Sequence, residues 1–253
     1  MGAVEVEWAA PVLTVTLARP DRGNTVDGTF IANLHAALDE AEERPDCRLV
    51  VLRARGPVFS AGMDVVEAAR EDASGGDSAD RGAAFFELLH RFTTVPRLVV
   101  CCVDGRASGG GVGLVAACDL VHSTERSVFS LPEAMWGLLP FSVLPFLVRR
   151  VGFQPAYAMT VTTLPVTAAE AVRSRLVDDL SPDPAVLVRK VTARLAKVDG
   201  TVVGDAKRYF AALHPITEET KRHAVAEFDR LAGAPRTRER FARFAATGRY
   251  PWE

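Results

Sequence analysis

The sequence predicts an α/β fold that becomes almost wholly helical in its second half. Three observations predict it. Short β-branched apolar runs alternate with helical patterns as far as Ser130, Gly-rich turns join strand ends to helix starts, and from Ser142 onward the periodicity is helical. Residues 4 to 8 and 12 to 18 alternate or run apolar, and Ala10-Pro11 between them reads as a turn, so the chain opens with a hairpin. A helix is expected over about residues 27 to 42, then a buried strand at Leu49 to Leu52, a loop from Gly56 to Gly62 and a short helix after Asp64. The polar, Gly/Ser-rich stretch 71–82, EDASGGDSADRG, reads as a mobile surface loop or lid. A helix over 81 to 94, a strand at Leu98 to Val103, a small-residue helix ending at Ala117 and short strands near 119 to 123 and 127 to 130 follow. Asp183-Pro184 and His214-Pro215 mark helix boundaries in the second half. No internal repeat is visible. The core is expected over residues 1–195, with residues 196–253 a C-terminal helical cap or subunit interface.

Bulk composition narrows the function. With 253 residues, 48% of them hydrophobic, the chain can bury a substantial core. A formal charge of −2 excludes a general electrostatic attraction to nucleic acid, leaving small molecules or proteins as partners. Cys47, Cys101, Cys102 and Cys118 form no CxxC pair or zinc spacing, and reduced core thiols of a cytoplasmic protein are expected. The first twenty residues carry acids rather than a basic segment before an apolar block, so no signal peptide is expected. The apolar stretch Met135 to Val148 is too short to span a bilayer and is broken by Gly137, Pro140 and Pro145, so no membrane role is expected.

Two loops carry chemistry. Val58-Phe59-Ser60-Ala61-Gly62-Met63-Asp64 is the first. The second runs from Asp104 to Gly113, after a strand and before a helix, and contains Gly109-Gly110-Gly111. Glycines let a bulky ligand approach the main chain, and a helix N-terminus offers unpaired N–H donors at a positive dipole end. Two such donors make an oxyanion hole. Glu133 sits in an otherwise apolar stretch from Val128 to Val148, where a carboxylate is costly to bury without purpose. Asp64 alone reads as the N-cap of the helix after it. The five histidines join no metal pattern. Gly111-Val112-Gly113-Leu114-Val115-Ala116 matches the dinucleotide fingerprint GxGxxA, but five residues separate Val103 from Gly109 and the first loop would go unexplained.

The first loop resembles the FxAGxD motif of the enoyl-CoA hydratase, or crotonase, family, and the second its GxxxGGGxxL…CD motif, ending at Cys118-Asp119. Arg19-Pro20 with Asn24, Phe129-Ser130-Leu131-Pro132-Glu133 with Gly137 and Pro140, and Val151-Gly152 continue the match in order, over about residues 12 to 180. The resemblance implies a crotonase-like ββα spiral core with a C-terminal helical trimerisation region, and so a homotrimer or dimer of trimers. It makes the N–H groups of Met63 and Gly110 the oxyanion donors and sets Ser60, Ala61, Gly62, Asp64, Gly109 and Gly113 around the acyl thioester. Glu133 corresponds to one of two catalytic glutamates. The other belongs at position 113, which here is glycine, and that departure argues against a simple fatty-acyl hydratase.

A narrower resemblance fits the departure. Phe141-Ser-Val-Leu-Pro-Phe-Leu-Val-Arg-Arg-Val-Gly-Phe-Gln, Thr160-Val-Thr-Thr-Leu-Pro-Val and Ala246-Thr-Gly-Arg-Tyr-Pro-Trp-Glu are similar to the dehydratases of polyketide β-methyl-branching cassettes. These convert 3-hydroxy-3-methylglutaryl groups on an acyl carrier protein to 3-methylglutaconyl thioesters, and also carry glycine at the position of Gly113. The implied lyase needs no cofactor or metal beyond the phosphopantetheine that carries its substrate, on a carrier protein or on CoA. Gly113 is expected to leave room for the methyl branch, Arg106 is a candidate for holding the glutaryl carboxylate, and Arg149, Arg150, Lys207 and Arg208 are candidates for meeting the carrier. A Δ3,Δ2-enoyl thioester isomerase, which also uses one glutamate, and a noncatalytic acyl-thioester binding protein are the alternatives.

Overall fold

A computed structural model describes residues 2–63 and 78–250. Strands β1 (Val4–Ala9) and β2 (Val12–Leu17) form the expected antiparallel hairpin. After helix α1 (Gly28–Glu43), capped by Asp27 whose side chain accepts from the Phe30 N–H at 2.7 Å, the chain repeats one unit three times. Strand β3 (Leu49–Ala54) is followed by β4 (Val58–Ser60), and helix α2 (Ser78–Thr94) comes later in the chain. Strand β5 (Leu98–Val103) is followed by β6 (Arg106–Ser108) and helix α3 (Gly110–Ala117). Strand β7 (Leu120–Ser123) is followed by β8 (Val128–Ser130) and the one-turn helix α4 (Glu133–Trp136).

The first strand of each unit joins one sheet and the second joins another. Their parallel stacking gives the orders β1-β2-β3-β5-β7-β10 and β4-β6-β8-β9, in which β9 (Val166–Thr167) and β10 (Asp179–Leu180) close the edges. This is a ββα spiral. Strands buried on both faces read as continuous apolar runs, which is why Val99 to Val103 and Leu49 to Leu52 carry no polar side chain.

The sequence reading misses four strands. β4 and β6 lie in segments expected to be loop or turn, and β9 and β10 interrupt a half expected to be helical. Helix α2 starts at Ser78, so the last residues of the expected lid are its first turn. The rest of that lid, Asp64 and the helix expected after it lie outside the described residues.

The remaining helices are α5 (Leu144–Val151), α6 (Phe153–Thr162), α7 (Ala168–Arg173), α8 (Pro184–Leu195), α9 (Val202–Leu213), α10 (Glu218–Ala232) and α11 (Pro235–Thr247). Among the described residues no helix is long and apolar enough to cross a membrane. All four cysteines are buried and unpaired.

Cys118-Asp119 anchors the C-terminal half. Asp119 accepts from the Val99 N–H and from Lys207 Nζ, each at 2.7 Å, and Lys207 also donates to the Phe92 carbonyl at 2.9 Å. Arg150 donates to the carbonyls of Leu176 and Cys118 and pairs with Asp178. Lys207 and Arg150 are thus engaged inside the fold, which corrects their reading as cations for the carrier. Breaking the buried Lys207–Asp119 pair by removing one partner leaves the other charge stranded, at a cost of about 3–5 kcal/mol.

Candidate active site

The first glycine loop is held from behind by residues 19 to 26. Asn24, at φ +50°, accepts from the Arg19 N–H at 2.8 Å and donates its Nδ2 to the carbonyls of Val58 (2.8 Å) and Arg55 (3.1 Å). The Ser60 hydroxyl donates to the Asn24 carbonyl at 2.9 Å and accepts from the Gly62 N–H at 3.2 Å. Ala61 N–H donates to the Gly23 carbonyl and Val26 N–H to the Gly62 carbonyl, each at 2.8 Å. Arg19 completes the clamp by pairing with Asp27 and donating to the Thr25 carbonyl at 2.8 Å. The motif Arg19-Pro20…Asn24 is therefore a positioning device for the loop ending at Met63.

The second loop touches the first. Gly62 has φ +83°, and a Cβ there would meet the Ser108 carbonyl oxygen at 2.7 Å and the Gly110 nitrogen at 3.1 Å. Only glycine allows this approach, and it sets the backbone before Met63 against that before Gly110. Gly110 is the first residue of α3, so its N–H has no intrahelical acceptor. Gly109, at φ +53°, packs against Glu133: a Cβ there would lie 2.8 Å from Glu133 Oε1.

Glu133 opens α4 after Pro132, and its Oε2 is enclosed without a hydrogen-bond partner among the described residues. Burial pushes its carboxyl up from 4.5 to about 7, opposed only by its own backbone N–H. A carboxyl in that range can take a proton and give one back at neutral pH. The turn that carries it is fastened from the far end of the chain. Trp136 stacks on Phe241 at 5.1 Å and meets Phe244 edge-on at 5.2 Å, pairs that contribute about 0.5–1.5 kcal/mol each beyond their burial.

Met63, Gly110 and Glu133 line one cavity of about 110 Å³. Its other walls come from Val26, the start of α2, the loop 138–143 and the C-terminal helices, so Phe228, Ala232 and Phe241 cover the site of their own chain. The sequence carries no sign that these side chains reach the site. Ser60, Ala61, Gly62, Gly109 and Gly113 belong to the two loops that carry Met63 and Gly110 and are not themselves among the described residues lining this cavity. Asp64 lies outside the described residues. Position 113 is closed rather than roomy: a Cβ there would meet Val143 Cγ2 at 2.8 Å, Leu89 Cδ1 at 3.2 Å and Phe85 Cε1 at 3.5 Å. Where the crotonase pattern puts a second carboxylate, apolar side chains of this protein fill the space. Arg106 is exposed and does not line the cavity. Among the described residues no group of three or more His, Cys, Asp or Glu side chains is arranged to hold a metal ion.

Paired donor loops facing a partly desolvated carboxylate suit chemistry next to an acyl carbonyl, and comparison with known proteins agrees. The enoyl-CoA hydratase/isomerase family profile matches residues 7–252. The chain belongs to that family. Bacillaene synthase dehydratase PksH of Bacillus subtilis (strain 168) is 30% identical over 250 residues, covering 99% of this chain and 96% of that protein. The crystal structure of a polyketide biosynthesis enoyl-CoA hydratase (pksH) from Bacillus subtilis superposes with a TM-score of 0.91 at 29% identity, over 98% of this chain and 99% of the other. An enoyl-CoA hydratase of Thermus thermophilus is 36% identical over 172 residues, 68% of each chain. The crotonase fold read from the two glycine loops is therefore the fold of this protein, and the chain is an enzyme of the hydratase and dehydratase class acting on acyl thioesters.

Proposed function

We propose that this enzyme dehydrates a 3-hydroxy-3-methylglutaryl thioester on an acyl carrier protein, giving the 3-methylglutaconyl thioester during polyketide β-branching. One observation carries the reading. Glu133 is the only carboxylate among the described residues lining the cavity, and the place of a second is packed with Phe85, Leu89 and Val143. Similarity to a bacillaene synthase dehydratase, a protein of polyketide assembly, supports the substrate class.

In the proposed reaction the thioester carbonyl oxygen accepts from the N–H groups of Met63 and Gly110. The Glu133 carboxylate removes the α-proton, and the electron pair left behind forms the enolate. Prealigned N–H donors at that oxygen contribute about 3–4 kcal/mol each to the transition state. Glu133, now protonated, gives the proton to the β-hydroxyl; the C–O bond breaks, water departs, and the α,β double bond forms as the carbonyl is restored. One carboxylate serves as base and then acid, and ends as it began. No metal, nicotinamide or flavin enters any step.

The exposed apolar side chains of Phe153, Tyr157 and Leu164, with those of Tyr209, Phe210 and Leu213, support assembly into a homotrimer or dimer of trimers. Mass spectrometry of hydroxymethylglutaryl carrier protein and hydroxymethylglutaryl-CoA, each incubated with the enzyme, tests the function. Loss of one water, faster on the carrier protein, is expected. No loss from either, together with double-bond migration in a 3-enoyl thioester, would establish the isomerase instead.

A further inference from the structure

Of the described residues lining the cavity, three have polar side chains: Glu133, Ser142 and Arg81. Ser142 donates its hydroxyl to the Gly82 carbonyl at 3.1 Å, which ties the first turns of α2, and with them Arg81, to the loop 138–143 opposite. The rest of the lining is backbone glycine or apolar side chain. A carboxylate entering such a wall loses its water, and it is retained only where a cation replaces that water. Arg81 is the one cation among the described lining residues. Its planar guanidinium fits a carboxylate by two parallel N–H donors, a match that an ammonium does not make.

The Glu133 carboxyl is governed by burial and its own backbone N–H, with no cation acting on it. Glu133 and Arg81 line the same cavity, and Arg81 is not among the groups that shift the Glu133 carboxyl. A second negative charge brought in unpaired would push the Glu133 carboxyl further up and keep the base protonated. A guanidinium that takes up that charge removes the conflict.

We propose that Arg81 is the specificity-determining cation of this site, binding the far carboxylate of a dicarboxylic acyl thioester whose carbonyl sits at the Met63 and Gly110 N–H groups. The inference rests on the proposed function for where the thioester carbonyl lies, but it concerns binding and can be tested without turnover. Glutaryl and butyryl thioesters have no β-hydroxyl to lose and differ in the distal carboxylate. Their affinities, each as the CoA thioester and on a phosphopantetheinylated carrier protein, are measured by titration calorimetry for the intact wild type, Arg81→Met and Arg81→Lys, with thermal melting as the folding control. Wild type is expected to prefer glutaryl. In Arg81→Met the ratio of glutaryl to butyryl affinity should fall roughly 10- to 100-fold, as for loss of a hydrogen bond between charged groups, and Arg81→Lys should keep part of it. An unchanged ratio in Arg81→Met, equal losses on both acyl groups, or no wild-type preference for glutaryl would overturn the proposal. A collapsed ratio in an enzyme that fails to dehydrate hydroxymethylglutaryl thioesters would sink the proposed reaction and leave Arg81 as the carboxylate site.

Discussion

Glu133→Gln separates chemistry from stability in a way that few substitutions do. The amide has nearly the shape of the protonated carboxyl but cannot accept the α-proton, so turnover in the proposed reaction should fall roughly 10²- to 10⁴-fold. Stability should move in the opposite direction, and only at higher pH. The folded carboxyl titrates at about 7 and the unfolded one near 4.5. A raised carboxyl contributes fully below 4.5, and that contribution is lost as pH rises through about 7. At about 1.4 kcal/mol for each tenfold in proton affinity, the loss is about 3 kcal/mol by pH 8. The amide of the variant carries no charge at any pH and escapes it. The two proteins should therefore be equally stable near pH 4.5, and the variant more stable by up to about 3 kcal/mol at pH 8, worth about 2–4 °C in Tm per kcal/mol for a chain of this size. Denaturant titrations at pH 5, 6, 7 and 8, at one protein concentration, give the stability. Single-turnover water loss over the same series gives the rate, which in wild type should rise with pH through about 7. A folded Glu133→Gln protein that dehydrates at the wild-type rate, or a stability difference that does not grow between pH 5 and 8, would refute the reasoning.

Gly113→Glu should lower Tm without raising dehydration, because its first side-chain atom already meets Val143 Cγ2 at 2.8 Å and its carboxylate would be buried among apolar groups; overpacking alone costs about 1–3 kcal/mol. Asn24→Ala should cost about 2–3 kcal/mol in urea denaturation, since it strands the Arg19 N–H and the Arg55 and Val58 carbonyls and puts alanine at φ +50°. Sedimentation at micromolar concentration should show a trimer or hexamer, and a stable monomer would contradict the proposed assembly. With one carboxylate for both proton steps, a stereospecifically α-deuterated substrate should lose only the deuteron on the face of the departing hydroxyl, read from the product mass; loss from the opposite face would require a second group.

What the sequence made legible was the backbone chemistry. Gly62 and Gly109 are needed for φ values and contacts that other residues cannot take, so the two loops and their order stand out along the chain. Long strands such as Leu98–Val103 were equally plain, being too apolar to be anything but buried. The three-residue strands Val58–Ser60 and Arg106–Ser108 were not, because a segment that short shows no period and its pairing is decided by residues far away in sequence. The repeated ββα unit hid for a related reason: backbone pairing repeats while side chains do not. Ser60 stands in a motif expected around the acyl thioester, and only the fold shows that its hydroxyl turns back onto Asn24 and Gly62 to hold the loop. Phe85, Phe228 and Phe241 belong to amphipathic helices, and no periodicity says which apolar face covers a site.

The glycine at 113 and the raised pKa of Glu133 are two sides of one arrangement. In sequence, Gly113 records only that a carboxylate is missing. In the fold, Phe85 and Val143 both line the cavity and crowd Gly113, so the missing acid has been replaced by apolar wall. That wall helps withhold water from Glu133, and burial is what lifts the carboxyl to about 7. An acid at 113 would act on Glu133 as a like charge and lift it further, leaving a single base protonated at neutral pH unless water or a cation came in with it. Enzymes with two carboxylates divide the proton steps between them. With one, the same group must lose its proton readily enough to be a base and hold it readily enough to be an acid, and a value near 7 meets both needs at neutral pH. The apolar packing at position 113 thus belongs to the burial that lifts Glu133 into the range on which the proposed single-carboxylate reaction depends.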